Sequence, residues 1–97
     1  MSAAFFSVRT SPGFDRLLRR LHKKHRDLAD TYEQATTILT ADPYNRTRTY
    51  HIKKLEAQKR GSGQYRLRLG RWRFRYDIEG TDVVLEYVGL RREDTYI

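Results

Sequence analysis

The chain has 97 residues, 20 Lys+Arg against 12 Asp+Glu and a formal net charge of +8. It holds no cysteine, which excludes disulfides, thiolate metal sites and cysteine nucleophiles. Its longest apolar run is the four residues Ala3 to Phe6, far short of the roughly 20 that a membrane-spanning helix needs. No basic segment followed by a long apolar one opens the chain, so no signal peptide is expected. These features predict one small basic domain over residues 1–97, cytoplasmic and without membrane partners. Its charge calls for a polyanion, nucleic acid first and an acidic protein second.

Ala4 to Arg9 is short, aromatic and β-branched, and reads as a strand. Ser11-Pro12 ends it and starts a helix: Ser11 can cap, Pro12 suits the first helical position, and Asp15 meets the dipole favourably. Phe14, Leu17, Leu18 and Leu21 fall on one helical face, and Lys23, Lys24 and Arg26 suit its end. A second helical pattern runs from about Leu28 to Ala41 and stops at Asp42-Pro43, since a residue before proline is pushed out of the α region. The close succession of the two predicts an antiparallel helical hairpin. After a polar connector (Pro43 to Thr49), Tyr50 to Leu55 reads as a short strand or an extended arm. Gly61-Ser62-Gly63 reads as a flexible turn. Tyr65 to Leu69, Trp72 to Ile78 and Val83 to Gly89 read as strands. The fold class is therefore α+β: a strand, two helices, then an antiparallel meander whose twisted sheet carries the helices on one face.

Gly70-Arg71 is a two-residue hairpin loop with glycine first, the type II′ signature. That loop fixes a register: Leu69 faces Trp72, Arg68 faces Arg73, Leu67 faces Phe74, Arg66 faces Arg75 and Tyr65 faces Tyr76. One face is apolar. The other carries Arg66, Arg68, Arg73 and Arg75, although like charges set directly opposite are destabilising. Extended through the Glu79–Asp82 turn, the same register sets Glu86 opposite Arg75, which predicts a structural ion pair there. It sets no acid of the hairpin opposite Arg66, Arg68 or Arg73. Arginine grips phosphate with a planar fork, so this face suits a phosphodiester; the alternative is a solvated face that only keeps the protein soluble.

The run Tyr65-Arg66-Leu67-Arg68-Leu69-Gly70-Arg71-Trp72-Arg73-Phe74-Arg75-Tyr76, followed by Val88-Gly89-Leu90-Arg91-Arg92-Glu93 and Tyr96, resembles the RelE/ParE superfamily of bacterial and archaeal toxins. The resemblance covers nearly the whole chain and is most specific in the hairpin. It implies a RelE-like toxin of a type II toxin–antitoxin system, a cognate antitoxin that wraps it, and ribosome-dependent cleavage of mRNA in the decoding site. Carried over residue by residue, it assigns catalysis to Arg66, Arg68, Arg73, Arg91 and Tyr96. No cofactor or metal is implied: the 2′-hydroxyl attacks its neighbouring phosphate and leaves a 2′,3′-cyclic phosphate. The arginines would stabilise the phosphorane, and Tyr96 would stack on a base. The charge further predicts an acidic antitoxin segment that folds on binding.

Two departures from the family pattern bear on proton transfer. Arg66 and Arg68 stand where some relatives have lysine, and Leu90 stands where histidine is frequent. Arginine effectively cannot give up its proton. His51, Lys53, Lys54 and Glu56 on the preceding arm are the remaining acid/base candidates, together with Tyr96 if neighbouring arginines lower its pKa.

Beyond the hairpin, Arg16, Arg19, Arg20, Lys23, Lys24 and Arg26 form a basic outer face of the helix pair; Arg16, Arg19, Arg20, Lys23 and Lys24 with Lys53 and Lys54 are a candidate contact to RNA or the ribosome, and a solvated surface is the other reading. His22 and His25 have a chelating spacing but no third ligand nearby, so no metal site is expected. Phe5, Phe6, Phe14, Trp72, Phe74 and Tyr87 are expected in the core. Two other function classes stay open: a superfamily member that inhibits gyrase without cutting RNA, and a basic RNA-binding domain without catalysis.

Overall fold

The computed structural model describes residues 5–91. The elements are β1 (Ser7–Thr10), α1 (Pro12–Lys24), α2 (Leu28–Ala41), β2 (Ile52–Lys54), β3 (Tyr65–Leu69), β4 (Trp72–Glu79) and β5 (Asp82–Leu90). One five-stranded sheet has the order β1-β5-β4-β3-β2. Neighbouring strands from β5 to β2 are antiparallel, while β1 lies parallel to β5, so the sheet is mixed.

Local chemistry sets the boundaries. The Ser11 hydroxyl oxygen accepts from the Phe14 N–H at 3.1 Å, with Pro12 in the first turn of α1. Asp27 precedes α2 but does not cap it. Its carboxylate instead accepts from Arg71 at 2.8 Å and from the Trp72 indole at 3.0 Å, tying the helix–helix turn to the hairpin tip. The first strand begins at Ser7, later than expected, because the Phe6 N–H leaves the sheet and donates to the Thr40 carbonyl of α2 at 2.9 Å. Ala4 lies outside the described residues.

Both helices cover one face of the sheet. Phe14, Leu28, Ala35 and Leu39 meet Leu67, Trp72, Phe74, Tyr76, Val83, Leu85 and Val88, all buried in one cluster. Phe5, expected in this core, is 68% exposed; with Phe6 turned toward α2, the residue before it faces outward.

The hairpin register agrees with the expectation at all five pairs. Gly70 has φ +58 while Arg71 stays negative, as a type II′ turn requires. The continuation into β5 departs from it. Arg75 is paired with Tyr87, yet Tyr76 is paired with Leu85, so Glu86 is an extra residue in a β-bulge. The expected Arg75–Glu86 pairing is therefore absent. The slip also reverses which residues face the core: Val88 and Leu90 join it, and Tyr87 moves to the opposite face.

Candidate functional site

The sheet face away from the helices is built from two cross-strand rows. One row runs Lys53, Arg66, Arg75, Tyr87 from β2 to β5; the next runs Arg68, Arg73, Gly89. His51 extends the second row at the β2 edge, where its carbonyl accepts the Arg68 N–H at 2.9 Å. Arg66, Arg68 and Arg73 are half-buried, and the Arg73 Nε is shut off from water. Their stems are held by the strands on the face away from the helices.

Arg75 belongs to the same face but is committed elsewhere. Its Nε and a terminal nitrogen donate to the Gly63 carbonyl at 3.2 and 3.1 Å, and that terminal nitrogen donates to Gln58 Oε1 at 2.7 Å. It is tied to the loop before β3 and not to Glu86, the expected partner. Asp77 completes this clamp. Fully buried, its carboxylate accepts from the N–H groups of Gly61, Gly63 and Gln64 at 2.8, 3.3 and 2.9 Å. The Gly61–Gly63 turn, expected to be flexible, is thus tied down. Gly63 has φ +89, and a Cβ there would lie 2.6 Å from that of Arg75, so only glycine fits.

Burial raises the Glu86 carboxyl above its ordinary range, and the adjacent Asp77 carboxyl pushes it the same way. The bulge thus puts a second acid beside a carboxylate already used to hold the loop. At the hairpin tip, the hydrogen bonds from Arg71 and Trp72 hold Asp27 down at about 2.

Of the residues assigned to catalysis, Arg66, Arg68 and Arg73 share the open face. Arg91 follows directly after β5, and its N–H donates to the Arg71 carbonyl at 2.8 Å, which places it at the hairpin end of the same rows. Tyr96 lies outside the described residues. Lys53 and Lys54 separate: Lys53 sits opposite Arg66 on the open face, whereas the Lys54 ammonium lies 5.8 Å from the centroid of the Tyr65 ring on the other side. Arg16, Arg19, Arg20, Lys23 and Lys24 are exposed on α1, which packs against the opposite face of the sheet. Arg20 and Lys24 line a cavity with Tyr87 and Val88 at the β5 edge, while Arg16, Arg19 and Lys23 stand apart from the arginine rows. His25 packs edge-on to Trp72, with ring centroids 5.3 Å apart, and no cluster of three or more metal-ligating side chains occurs among the described residues.

Tyr87, expected in the core, instead lies on the arginine face. Its phenol covers Gly89, where a Cβ would collide with it, and Gly89 pairs with Arg73. The sequence does carry the signal: the apolar spacing Val83, Leu85, Val88, Leu90 skips one residue after Leu85, as a bulge demands.

No protein-family model matches the chain, and no curated protein matches it. Among solved structures it is similar to a chain of the toxin–antitoxin complex RelBE2 from Mycobacterium tuberculosis. The two are 27% identical with a TM-score of 0.67, over 93% of this chain and 95% of that one. With its two helices, its mixed five-stranded sheet and its arginine hairpin, the chain has a RelE-like fold and is similar to that toxin–antitoxin protein along nearly its whole length.

Proposed function

We propose that the protein is the toxin of a type II toxin–antitoxin pair and a metal-independent endoribonuclease that cuts mRNA in the ribosomal decoding site, acting in the cytoplasm. The observation that carries this reading is the row pair on the open face. Arg66, Arg68 and Arg73 project from adjacent strands of a hairpin whose register is fixed by a two-residue turn. Forks anchored this way are positioned before any substrate arrives, and preorganised cations are what a developing phosphorane requires. Arg91 at the hairpin end would add a further cation, and Tyr96 would stack on the base beside the cut. The attacking group is the 2′-hydroxyl of the RNA, and a 2′,3′-cyclic phosphate is left. For the proton, His51 and Lys53 are the candidates that the rows bring to this face. The likeness to a chain of the RelBE2 complex supports an antitoxin as partner, and the net charge of +8 favours an acidic one.

The test is incubation with programmed ribosomes, with the message mapped by primer extension. Cleavage confined to ribosome-bound message is expected. Fast cutting of naked RNA at physiological salt would remove the ribosome from the reading. Growth arrest without any cleaved message would favour a gyrase-directed toxin.

A further inference from the structure

At the end of β3 away from the hairpin tip lies a second group of cations and rings. Tyr44 is 41% exposed, one of two large hydrophobic side chains so exposed among the described residues. Its backbone is held without help from the ring. The Asp42 carboxylate accepts from the Arg46 and Thr47 N–H groups at 2.8 and 3.1 Å and from the Thr47 hydroxyl at 2.7 Å. The Asn45 amide exchanges two hydrogen bonds with Tyr50, and the Tyr76 hydroxyl donates to the Pro43 carbonyl at 2.7 Å. The ring stands edge to face with Phe6 and Tyr65, each at 6.0 Å. The Arg46 guanidinium lies 5.2 Å from its centroid, just as the Lys54 ammonium lies over Tyr65.

The charges fit one kind of occupant. Arg46, Arg48 and Lys54 are exposed and form no ion pair among the described residues. The Asp42 carboxylate is buried and bonded within its loop, and Glu56 is the one exposed acid just beyond Lys54. A rigid ring carrying a guanidinium suits an unpaired base, which stacks on either plane while nearby cations meet its phosphates. Tyr65 is already stacked on the buried Tyr76, ring centroids 5.5 Å apart, so Tyr44 is the ring that a base meets; an acidic peptide would use the cations and leave it without a role. Position adds a second argument. β2 is an edge strand, with Lys53 beside Arg66 on the open face and Lys54 over Tyr65 on the other. A strand of RNA lying on the arginine rows and passing over this edge arrives at Tyr44 and Arg46.

We propose that Tyr44, Arg46, Lys54 and Tyr65 form a second single-stranded RNA subsite, which holds unpaired bases flanking the segment on the arginine face. The proposal deepens the nuclease reading, but the binding it asserts does not depend on cleavage. The probe is a short 2′-O-methyl oligoribonucleotide carrying 2-aminopurine, which binds and cannot be cut, titrated against the full chain. Tyr44→Leu keeps the apolar contact with Phe6 and Tyr65 and removes the π face. It should weaken binding about tenfold without changing the salt dependence. Tyr44→Trp should bind as the parent does. Arg46→Gln, an exposed change that leaves the ring in place, should weaken binding and make the log–log salt slope shallower by about 0.7. Duplex RNA should show no dependence on Tyr44. Unchanged single-strand affinity in both Tyr44→Leu and Arg46→Gln overturns the subsite, as does an equal loss for duplex RNA. So does a loss confined to polyglutamate, which would make the patch an acidic-peptide site. Failure to cut message on ribosomes, with the Tyr44 effect intact, would sink the nuclease reading alone.

Discussion

Arg73 and Arg75 stand two residues apart on one face of β4, and their surroundings separate their roles. Arg73 faces Arg68 across the hairpin and Gly89 across β5, where the Tyr87 phenol takes the place of a side chain. Arg75 is drawn down onto the loop before β3. Arg73→Ala should therefore lower single-turnover cleavage at saturating ribosome by about 10²–10³-fold, the cost of one lost oxyanion-type donor. Arg73→Lys should recover part of it, because a point charge does not reproduce a bidentate fork. Arg75→Ala should cut at near the parent rate and lose about 1–3 kcal/mol of stability, since the Gly63 carbonyl loses a charged donor. Thermal melting measured beside the kinetics decides both. An inactive Arg75→Ala beside a fully active Arg73→Ala would reverse the assignment.

The bulge in β5 is the element on which the site turns. It brings Tyr87 to the arginine face and sets Glu86 beside Asp77. A carboxyl raised in the folded state binds its proton more tightly there than in the unfolded chain. The stability it supplies is full below the ordinary glutamate range and is lost as pH rises through its raised value. At neutral pH Glu86 is thus a cost, and Glu86→Gln, which keeps the shape and removes the charge, should raise the melting temperature at pH 7 and converge with the parent in acid. Asp27 runs the other way: held at about 2, it supports the fold above the ordinary aspartate range and stops doing so as pH falls toward that value. Its surface position leaves this contribution open to screening by salt. A Glu86→Gln chain that melts lower at pH 7 would contradict the acid-pair account. These two acids also mark where the sequence could be read. The hairpin was legible in full, because a two-residue glycine turn allows one register. Beyond the next turn the same counting failed at Glu86, because a register carried on paper assumes an unbroken ladder. Asp77 and Arg75 as a loop clamp could not be read from the chain, since their partners Gly61, Gly63 and Gln58 are joined to them only by the fold.

Among the described residues, positive charge is spread over the sheet face, the outer side of α1 and the β2 edge. Arg66, Arg68 and Arg73 lie on the sheet face away from the helices, Arg16, Arg19 and Lys23 are carried by α1 on the other side, and Arg20 and Lys24 reach the β5 edge beside Tyr87. Composition predicts a polyanion partner but cannot divide the charge this way; the apolar stripe of α1 can, once the helix is known to pack on the sheet. Opposed faces cannot both touch one scissile phosphate. If the helix cations meet ribosomal RNA, they supply affinity and not rate, and the two should separate by mutation. A chain with Arg16→Gln, Arg19→Gln and Lys23→Gln should bind ribosomes more weakly. The slope of log affinity against log salt should fall by roughly 0.7–0.9 for each phosphate that is no longer neutralised. Its single-turnover rate at saturating ribosome should match the parent, because the arginine rows are intact. Arg73→Ala should show the converse, near-parent affinity with a slow step. Ribosome binding measured across a salt series, with cleavage followed on the same samples, tests the division. If the helix variant binds with the parent's slope, α1 is solvated surface. If it binds as the parent does but cuts slowly, the two faces are coupled and the arginine rows are not a self-sufficient site.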